Sequence, residues 1–553
     1  MKKNTVLLFL AAIIALGSVL RVTGIFWALP SDNYFHANTY VEDEGDYLNS
    51  IRGFDPARLD FRIKNYVSYK TTFYVYALAA WIKAASLTGL VNISSSFDHY
   101  KQFPAKLARI YVSGRLMSVF FALLTVLMVF YIAQACYGDS LVSLAAAFLM
   151  AVTPVHVIWS HFMGTDSLLA FIVCLMLAVC LRILAEDKPV YYVFAGLLAG
   201  LAVTTKLSSA PLAVMPVLAL LLSGRKASWK NIAVYFISIL PGYMIGDPYG
   251  LFEPKALLER IKTAAAINVT FDPAQKEWDA FGSQPMWLFY LTKAPLYSFG
   301  LPLSLLFAAG MVNAAFRRSK SDILLLAWII LFYAFISAAS GWQILRWQFP
   351  YIPFLCVLAA KFTVDAVRRA SGGFKYAVTA VIGAALLYTV FYSAAFAALM
   401  ARQDVRDEAS EWIEQALPEG TSIGVNTISF FHPSILLTEH WYKPSEPIVN
   451  YPKKYEIVIA EWDAGMIEKK KPSYIILSDF EYYPLLNLPG RNACPRYLPF
   501  LNEVTEGGKY ELARVFKKKV ELLGLVPLGG FYPFCLRTVF PEIRVYKRLA
   551  DSD

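Results

Sequence analysis

The chain has 553 residues, of which 57% are hydrophobic and 17% are charged. So apolar a composition is atypical of a soluble protein of this length and indicates a chain that crosses a membrane several times. The formal net charge is +10. It does not indicate a nucleic-acid-binding protein, because the basic residues form short clusters between apolar runs instead of one continuous stripe.

Apolar stretches with few or no charges follow one another along the first 400 residues. They cover residues 5–20, 117–135, 140–158, 167–181, 189–205, 207–222, 232–245, 294–315, 323–339, 349–360 and 376–400. A helix that crosses a bilayer needs about 20 residues, and most of these stretches approach that length with their flanks. The sequence therefore predicts a membrane all-α bundle of about 11 transmembrane helices, the first of them an uncleaved span.

Basic residues predict the side of the membrane on which each loop lies. If the N-terminus is cytosolic, the cytosolic loops hold 14 Lys or Arg residues, whereas the short outer loops hold only Lys206 and Arg346. The positive-inside rule favours this orientation in a plasma or inner membrane. Three long segments then lie outside, from 26 to about 115, from 246 to about 293, and everything after 400.

The outer segments differ in composition. In the first, the aromatic run 72–82 is too short to span comfortably and is predicted to form an amphipathic helix at the interface. After a membrane domain of residues 1–400, residues 401–553 contain a helix-like stretch at 407–417 and strand-like runs at 422–425, 455–460, 474–477 and 542–546. We predict an extracytoplasmic α/β domain there. Two interpretations remain for Cys494 and Cys535: they form a disulfide, as an extracytoplasmic position would allow, or they are two free thiols.

Acidic side chains mark two places where chemistry is expected. The run 42–46 directly follows the first span and is explained either as a solvated acidic loop or as a source of a general base at the membrane surface. Asp166 lies where the third stretch gives way to the fourth. A carboxylate is costly there, which indicates function, although it also suits the N-cap of the next helix. His161, at a similar depth, is interpreted as a packing residue behind the site.

Lys206 and Arg346 are the basic residues that depart from the charge distribution of the other loops. A lipid-linked phosphate explains both, because Arg binds phosphate oxygens bidentately and Lys contributes a compact charge. The alternative is that both side chains extend to the lipid headgroups.

Several fragments carry a family resemblance, in order along nearly the whole chain. They are the acidic pair Asp43-Glu44, the segments 64–66 and 73–76, Ser113-Gly114-Arg115-Leu116, the segments 153–170 and 196–206, and the run 346–350, with Trp347 in place of a more usual Tyr. Together they resemble the C-type glycosyltransferase superfamily, in particular the branch of protein O-mannosyltransferases and bacterial lipid A aminoarabinose transferases.

The resemblance implies an integral membrane glycosyltransferase. Its donor is expected to be a sugar on undecaprenyl or dolichyl phosphate, and its acceptor an extracytoplasmic glycan, lipid or protein. We expect inversion at the sugar, with Asp43 as general base and with Glu44 and Asp166 positioning the nucleophile or stabilising the developing positive charge. Lys206 and Arg346 are expected to hold the departing phosphate.

Three further expectations complete the sequence-based hypothesis. Tyr66 and Asp46 are predicted to lie with His161 on the acceptor side or just behind the site. No cofactor is expected to be required, although Mg²⁺ or Mn²⁺ bridging Asp43, Glu44 and Asp166 stays an alternative. A polytopic transporter or lipid flippase is the main rival function, and a non-catalytic assembly or receptor protein is the third.

Overall fold

The computed structural model describes residues 2–31, 39–63, 72–94, 96–225, 228–269, 285–339, 343–426, 431–436, 454–482, 497–527 and 532–549. Helices dominate the first 400 residues. In chain order they are α1 (Lys3–Val22), α2 (Glu42–Arg52), α3 (Thr72–Leu87), α4 (Phe97–Gln102), α5 (Pro104–Tyr137), α6 (Ser140–Val152), α7 (Pro154–Ser160), α8 (Thr165–Ala185), α9 (Pro189–Thr205), α10 (Met215–Ser223), α11 (Trp229–Gly246), α12 (Pro254–Val269), α13 (Met286–Phe299), α14 (Leu301–Arg317), α15 (Lys320–Ala339), α16 (Ile352–Arg369) and α17 (Gly372–Met400).

Five helical segments of the described part are long and apolar enough to cross a membrane, and they begin with α1, α5, α8, α15 and α17. The bent pair α6 and α7 gives a sixth, and α3, α9, α14 and the run 207–223 are apolar but shorter. The protein is therefore an integral membrane protein. The predicted count of about 11 spans is not confirmed.

Two predicted spans are interrupted for identifiable reasons. The stretch 140–158 bends by 54° between α6 and α7, where Pro154 follows Thr153 and supplies no backbone N–H for the ladder. The stretch 294–315 is divided between α13 and α14 at Gly300, whose φ of +74° lies in the left-handed region. Apolar composition alone does not reveal such breaks, because the flanking residues remain equally hydrophobic.

Small residues bring α9 and α11 into close contact. A Cβ added at Gly200 would lie 2.3 Å from the backbone nitrogen of Tyr243, and one at Gly242 would lie 2.4 Å from the carbonyl oxygen of Leu197. Such backbone approach is typical of helix pairs in membranes, where packing replaces the hydrophobic effect as the driving force. The contact fixes the end of α9, after which Lys206 follows.

We expect Gly200→Ala to destabilise the bundle by about 1–3 kcal/mol, because one methyl group forces two helix backbones apart. The measurement is the unfolding free energy in mixed detergent micelles. Gly383→Ala is the matched control, since a Cβ at Gly383 in α17 meets no atom within 4 Å. Equal behaviour of the two variants would contradict the packing argument.

The C-terminal region forms a small α/β unit, as its composition predicted. Helix α18 (Val405–Ala416) precedes a sheet of β1 (Ser422–Val425), β2 (Glu456–Ile459), β3 (Tyr474–Ser478), β4 (Tyr510–Phe516) and β5 (Ile543–Arg548), with α19 (Ala464–Lys470), α20 (Leu498–Thr505) and α21 (Phe534–Arg537) beside it. The strand order is β2-β1-β3-β5-β4. Strands β1 to β3 pair in parallel, and β5 pairs antiparallel with β3 and β4. Strand β4 was not predicted, because it is an edge strand whose middle residues are exposed.

Part of this C-terminal region packs against the membrane helices. Five of its side chains belong to the same buried cluster as the bundle core, namely Val520, Tyr532, Cys535, Leu536 and Val539. The first loop also contacts it, since the hydroxyl of Tyr40 donates to Asp407 Oδ1 at 2.7 Å and the Arg406 guanidinium lies 3.7 Å from the Tyr40 ring centroid. Cys494 lies outside the described residues, so the disulfide with Cys535 stays a prediction.

Candidate active site

Four charged side chains meet at the end of the helix bundle that carries the sheet. Arg346 Nη2 donates to Asp43 Oδ2 at 2.5 Å, and Arg346 Nε lies 3.6 Å from Asp166 Oδ2. Lys206 Nζ donates to the other oxygen of Asp166, Oδ1, at 2.6 Å. Asp43, Arg346, Asp166 and Lys206 thus form one row of alternating charge, which we call the charged row. The structure brings together the four residues that the sequence predicted as base, positioning acid and phosphate ligands.

Each member of the charged row lies at the end of a different helical element. Asp43 is the second residue of α2 and Asp166 is the second residue of α8, and both helix N-termini favour negative charge. Lys206 directly follows α9, and Arg346 lies in the short 3-10 turn before α16. The alternative in which Asp166 caps α8 is wrong, because Gly164 occupies the N-cap position and the Asp166 carboxylate contacts Lys206 instead.

The charged row is partly accessible, with exposed side-chain fractions of 29% for Asp43, 12% for Asp166, 24% for Lys206 and 23% for Arg346. Part of each of the four side chains is therefore open to solvent. Burial lowers the pKa of Arg346, but the neighbouring carboxylates outweigh it and raise the pKa above its ordinary value. The guanidinium is thus permanently charged.

Tryptophan rings lie next to the two basic side chains, Arg346 and Lys206. The Arg346 guanidinium lies 4.8 Å from the ring centroid of Trp159, and Lys206 Nζ lies 5.9 Å from that of Trp347. These contacts are within the range of cation–π attraction and restrict where each charge points. Within the described residues, Arg346 Nε and Trp159 Nε1 are buried donors that make no hydrogen bond. Two buried donors at an accessible row of charge favour a ligand that supplies acceptor oxygens.

Glu44 does not point at the charged row, which corrects its predicted position. Its side chain is fully buried and binds Arg115 through two parallel bonds of 2.8 Å, and the backbone N–H of Met163 donates to Oε1 at 2.8 Å. Arg115 also donates to the carbonyl oxygens of Ile25 and Trp27. Glu44 therefore ties the first loop to α5 and to the chain before α8, and its carboxylate is engaged there, not at the charged row.

The other predicted residues lie beside or outside the described site. His161 is fully buried, and its two ring nitrogens lie 2.8 Å from the carbonyl oxygens of Val157 and Thr23, so it holds the end of α7 against α1. Asp46 is half-buried on α2, one turn after Asp43. Tyr66 lies outside the described residues, and its acceptor-side role stays a prediction.

The predicted metal ligands do not converge in the described structure. Asp43 and Asp166 both contact Arg346, while Glu44 contacts Arg115. Across the described part of the chain, no group of three His, Cys, Asp or Glu side chains has an arrangement that suits a metal ion.

Sequence reasoning missed Arg115 and Trp159 as parts of the site's support. Arg115 was recognised only within a short motif, although a charge beside the long apolar stretch 117–135 is a signal that it has a buried partner. Trp159 gave no signal of its own, because an aromatic residue in an apolar stretch is normally a packing residue.

Comparisons with known proteins relate the fold of the chain to that of solved structures. A family model described as dolichyl-phosphate-mannose-protein mannosyltransferase matches residues 109–244. The structure of ArnT from Cupriavidus metallidurans in the apo state aligns with a TM-score of 0.51 and 14% identity, over 87% of this chain and 94% of that one. A search of curated proteins finds no match.

Two further solved structures align over much of the chain with lower scores. The apo oligosaccharyltransferase of Archaeoglobus fulgidus has a TM-score of 0.48 and 15% identity, over 87% of this chain and 71% of that one. The mycobacterial arabinofuranosyltransferase AftD has a TM-score of 0.43 and 11% identity, over 100% of this chain and 40% of that one. The family match and the ArnT alignment confirm the predicted resemblance: the chain has the fold of the C-type glycosyltransferases.

Proposed function

We propose that the protein transfers a sugar from a polyprenyl-phosphate donor to an acceptor on the side of the membrane that carries the C-terminal sheet. The observation that carries the proposal is the position of Arg346 between Asp43 and Asp166. The family description names a polyprenyl phosphate sugar as donor for related proteins, and the positive-inside distribution supports an extracytoplasmic site. The acceptor is a glycan, a lipid or a protein.

The charged row suits a phosphate that leaves with its lipid. Lys206 and Arg346 supply two positive charges at one partly exposed place, and within the described residues the buried Nε of Arg346 makes no hydrogen bond. A donor phosphate that binds there replaces carboxylate oxygens as acceptors for the guanidinium. As negative charge grows on the leaving phosphate, the same two cations stabilise it, which is the usual source of catalysis in group transfer.

Asp43 is the proposed general base. Its Oδ2 accepts a hydrogen bond from Arg346 Nη2, which holds the carboxylate in place. When the guanidinium turns to the phosphate, Asp43 accepts the proton of the acceptor hydroxyl or amine. The acceptor then attacks the anomeric carbon from the face opposite the phosphate, with inversion. Asp166 keeps Lys206 and Arg346 oriented toward the donor.

The test is the release of free lipid phosphate from a labelled polyprenyl-phosphate sugar by purified protein. We expect Arg346→Ala to lower kcat/KM about 100-fold or more, because it removes charge from the leaving group. Arg346→Lys keeps the charge but loses the planar donor fork and should retain intermediate activity.

Arg368→Ala is the matched control, because Arg368 is an exposed arginine at the opposite end of α16, paired with Asp139. It should stay within about twofold of the unaltered protein. Movement of the labelled lipid across the membrane without release of lipid phosphate would support a flippase and contradict the proposed transfer. Unchanged donor dependence in Arg346→Ala would remove this residue from the phosphate site.

A further inference from the structure

A tight hairpin projects from the C-terminal region where it returns to the membrane helices. Leu522 and Leu525 exchange two backbone hydrogen bonds of 3.0 Å, and the turn between them consists of Leu523 and Gly524, with φ of +54° and +76°. Positive φ at both central positions defines a turn that normally takes Asn-Gly or Asp-Gly. We call residues 522–526 the apolar tip.

The apolar tip is unfavourable for a surface in water. Leu523 is a branched side chain in the left-handed region, which only glycine and, to a lesser extent, Asn and Asp enter readily. Within the described residues Leu523 is 92% exposed, Leu525 64% and Val526 45%. The protein itself therefore gives no packing in return for the strained leucine. Strain of this kind persists when it serves a function outside local folding.

The position of the tip places it beside a membrane-spanning helix. The hydroxyl of Tyr388 in α17 donates to the carbonyl oxygen of Pro527, immediately after the tip, at 2.6 Å. Leu387, the residue before Tyr388 in α17, is 71% exposed, and Leu301 at the start of α14 is 57% exposed. Leu387 lies on a helix that is long and apolar enough to cross the bilayer, and Leu301 begins a shorter apolar helix beside it. The tip therefore continues the exposed apolar surface of these two helices.

The depth of Tyr388 agrees with a position in one leaflet. Tyr388 lies about 24 Å from the start of α17 at Gly372, at a rise of about 1.5 Å per residue. The hydrocarbon core of a bilayer is about 30 Å thick. If α17 enters the core near its first turn, the tip lies in the half of the bilayer nearer the sheet.

Charged residues stand at the base of the hairpin. Lys519 is exposed, and Arg402 at the end of α17 approaches Glu521 to 4.0 Å. In interfacial anchors, basic side chains next to an inserted apolar segment contact the lipid headgroups. The charged residues here have the same position relative to the tip. A binding site for a partner protein does not have to continue a lipid-facing surface. A segment that contacts acyl chains does, and this favours lipid as what the tip contacts.

We propose that the apolar tip inserts into the leaflet next to the charged row and anchors the C-terminal region to the lipid. The side chain of Leu523 then moves from water into hydrocarbon, and the free energy of this transfer offsets the conformational cost of the turn. The inference depends on the fold and on membrane insertion of the helices, and it is independent of the chemistry proposed for the charged row.

The test places a fluorescent probe on the tip of the full chain in lipid nanodiscs. Leu523→Cys is labelled with an environment-sensitive dye in a Cys494→Ser background, and signal from the other cysteines is subtracted. We expect blue-shifted emission that is quenched by lipids with a nitroxide on the acyl chain and protected from aqueous iodide. Leu512→Cys is the matched control, because Leu512 is 51% exposed on β4 of the same region and should show the opposite pattern.

Quenching by iodide at position 523, as at 512, would overturn the proposal. Protection from both quenchers would overturn it as well, since it would indicate that protein covers the tip. Leu523→Asn gives a second readout, because asparagine favours this turn and disfavours hydrocarbon. We expect Leu523→Asn to keep or raise the unfolding temperature in detergent. The same variant should hold the sheet less firmly at the membrane, which is measured as increased access of iodide to a dye at position 525.

Discussion

Asp43→Asn should abolish measurable transfer, with a loss of about a thousandfold in kcat, while donor binding is largely kept. Asparagine has nearly the same shape and can still accept a hydrogen bond from Arg346, so the charged row keeps its arrangement. It cannot accept a proton from the acceptor. The measurement is single-turnover release of lipid phosphate, together with donor affinity from equilibrium binding of the labelled lipid.

The matched control for this variant is Asp60→Asn. Asp60 lies in the same loop and forms a surface ion pair with Arg62, 2.9 Å between Oδ1 and Nε. Its replacement should change turnover by less than about twofold, because exposed ion pairs contribute little. Near-normal turnover in Asp43→Asn would exclude Asp43 as base even if the rest of the charged row proved functional.

Glu44→Ala should have the largest effect on stability, a loss of about 3–5 kcal/mol in the free energy of unfolding. The substitution leaves the Arg115 guanidinium charged and fully buried, with two of its hydrogen bonds gone, and it removes the acceptor of the Met163 N–H. The measurement is unfolding in mixed detergent micelles. Activity should fall in parallel, because the same contacts hold the loop that carries Asp43.

Two further variants distinguish the loss of a buried ion pair from the general effect of removing an acidic side chain. Glu186→Ala removes an acid from an exposed pair with Lys188 and should cost less than about 1 kcal/mol. The double replacement Glu44→Leu with Arg115→Met should recover part of the loss, since no uncompensated charge remains. A cost for Glu44→Ala as small as that of the control would mean that Arg115 finds another partner.

The composition of the chain predicted the helical membrane region and the position of four of the five strands in the described residues, because long apolar runs and short alternating runs are strong signals. The breaks at Thr153 and Gly300 and the edge strand β4 were missed. A break depends on one backbone geometry inside an apolar run, and β4 buries only its two ends. Neither feature changes the average hydrophobicity from which spans and strands are predicted.

The candidate site was predicted from charge and from the family resemblance. Lys206 and Arg346 stood out because they are the basic residues of the short outer loops, and both lie in the charged row. The neighbouring acids Asp43 and Glu44 could not be told apart in the sequence. Successive residues of a helix point about 100° apart, so one reaches the site and the other the interior. Which one does so depends on where α2 packs, and that is a property of the tertiary structure.

The C-terminal segment that packs into the bundle core affects how the protein matures. Cys535 lies against the carbonyl oxygen of Gln343, three residues before Arg346, at a sulfur-to-oxygen distance of 3.9 Å. The ribosome makes this segment only after every helix of the bundle has been translated and inserted. A nascent chain halted before residue 520 would therefore carry all four members of the charged row yet lack the packing of Cys535 against the segment just before Arg346.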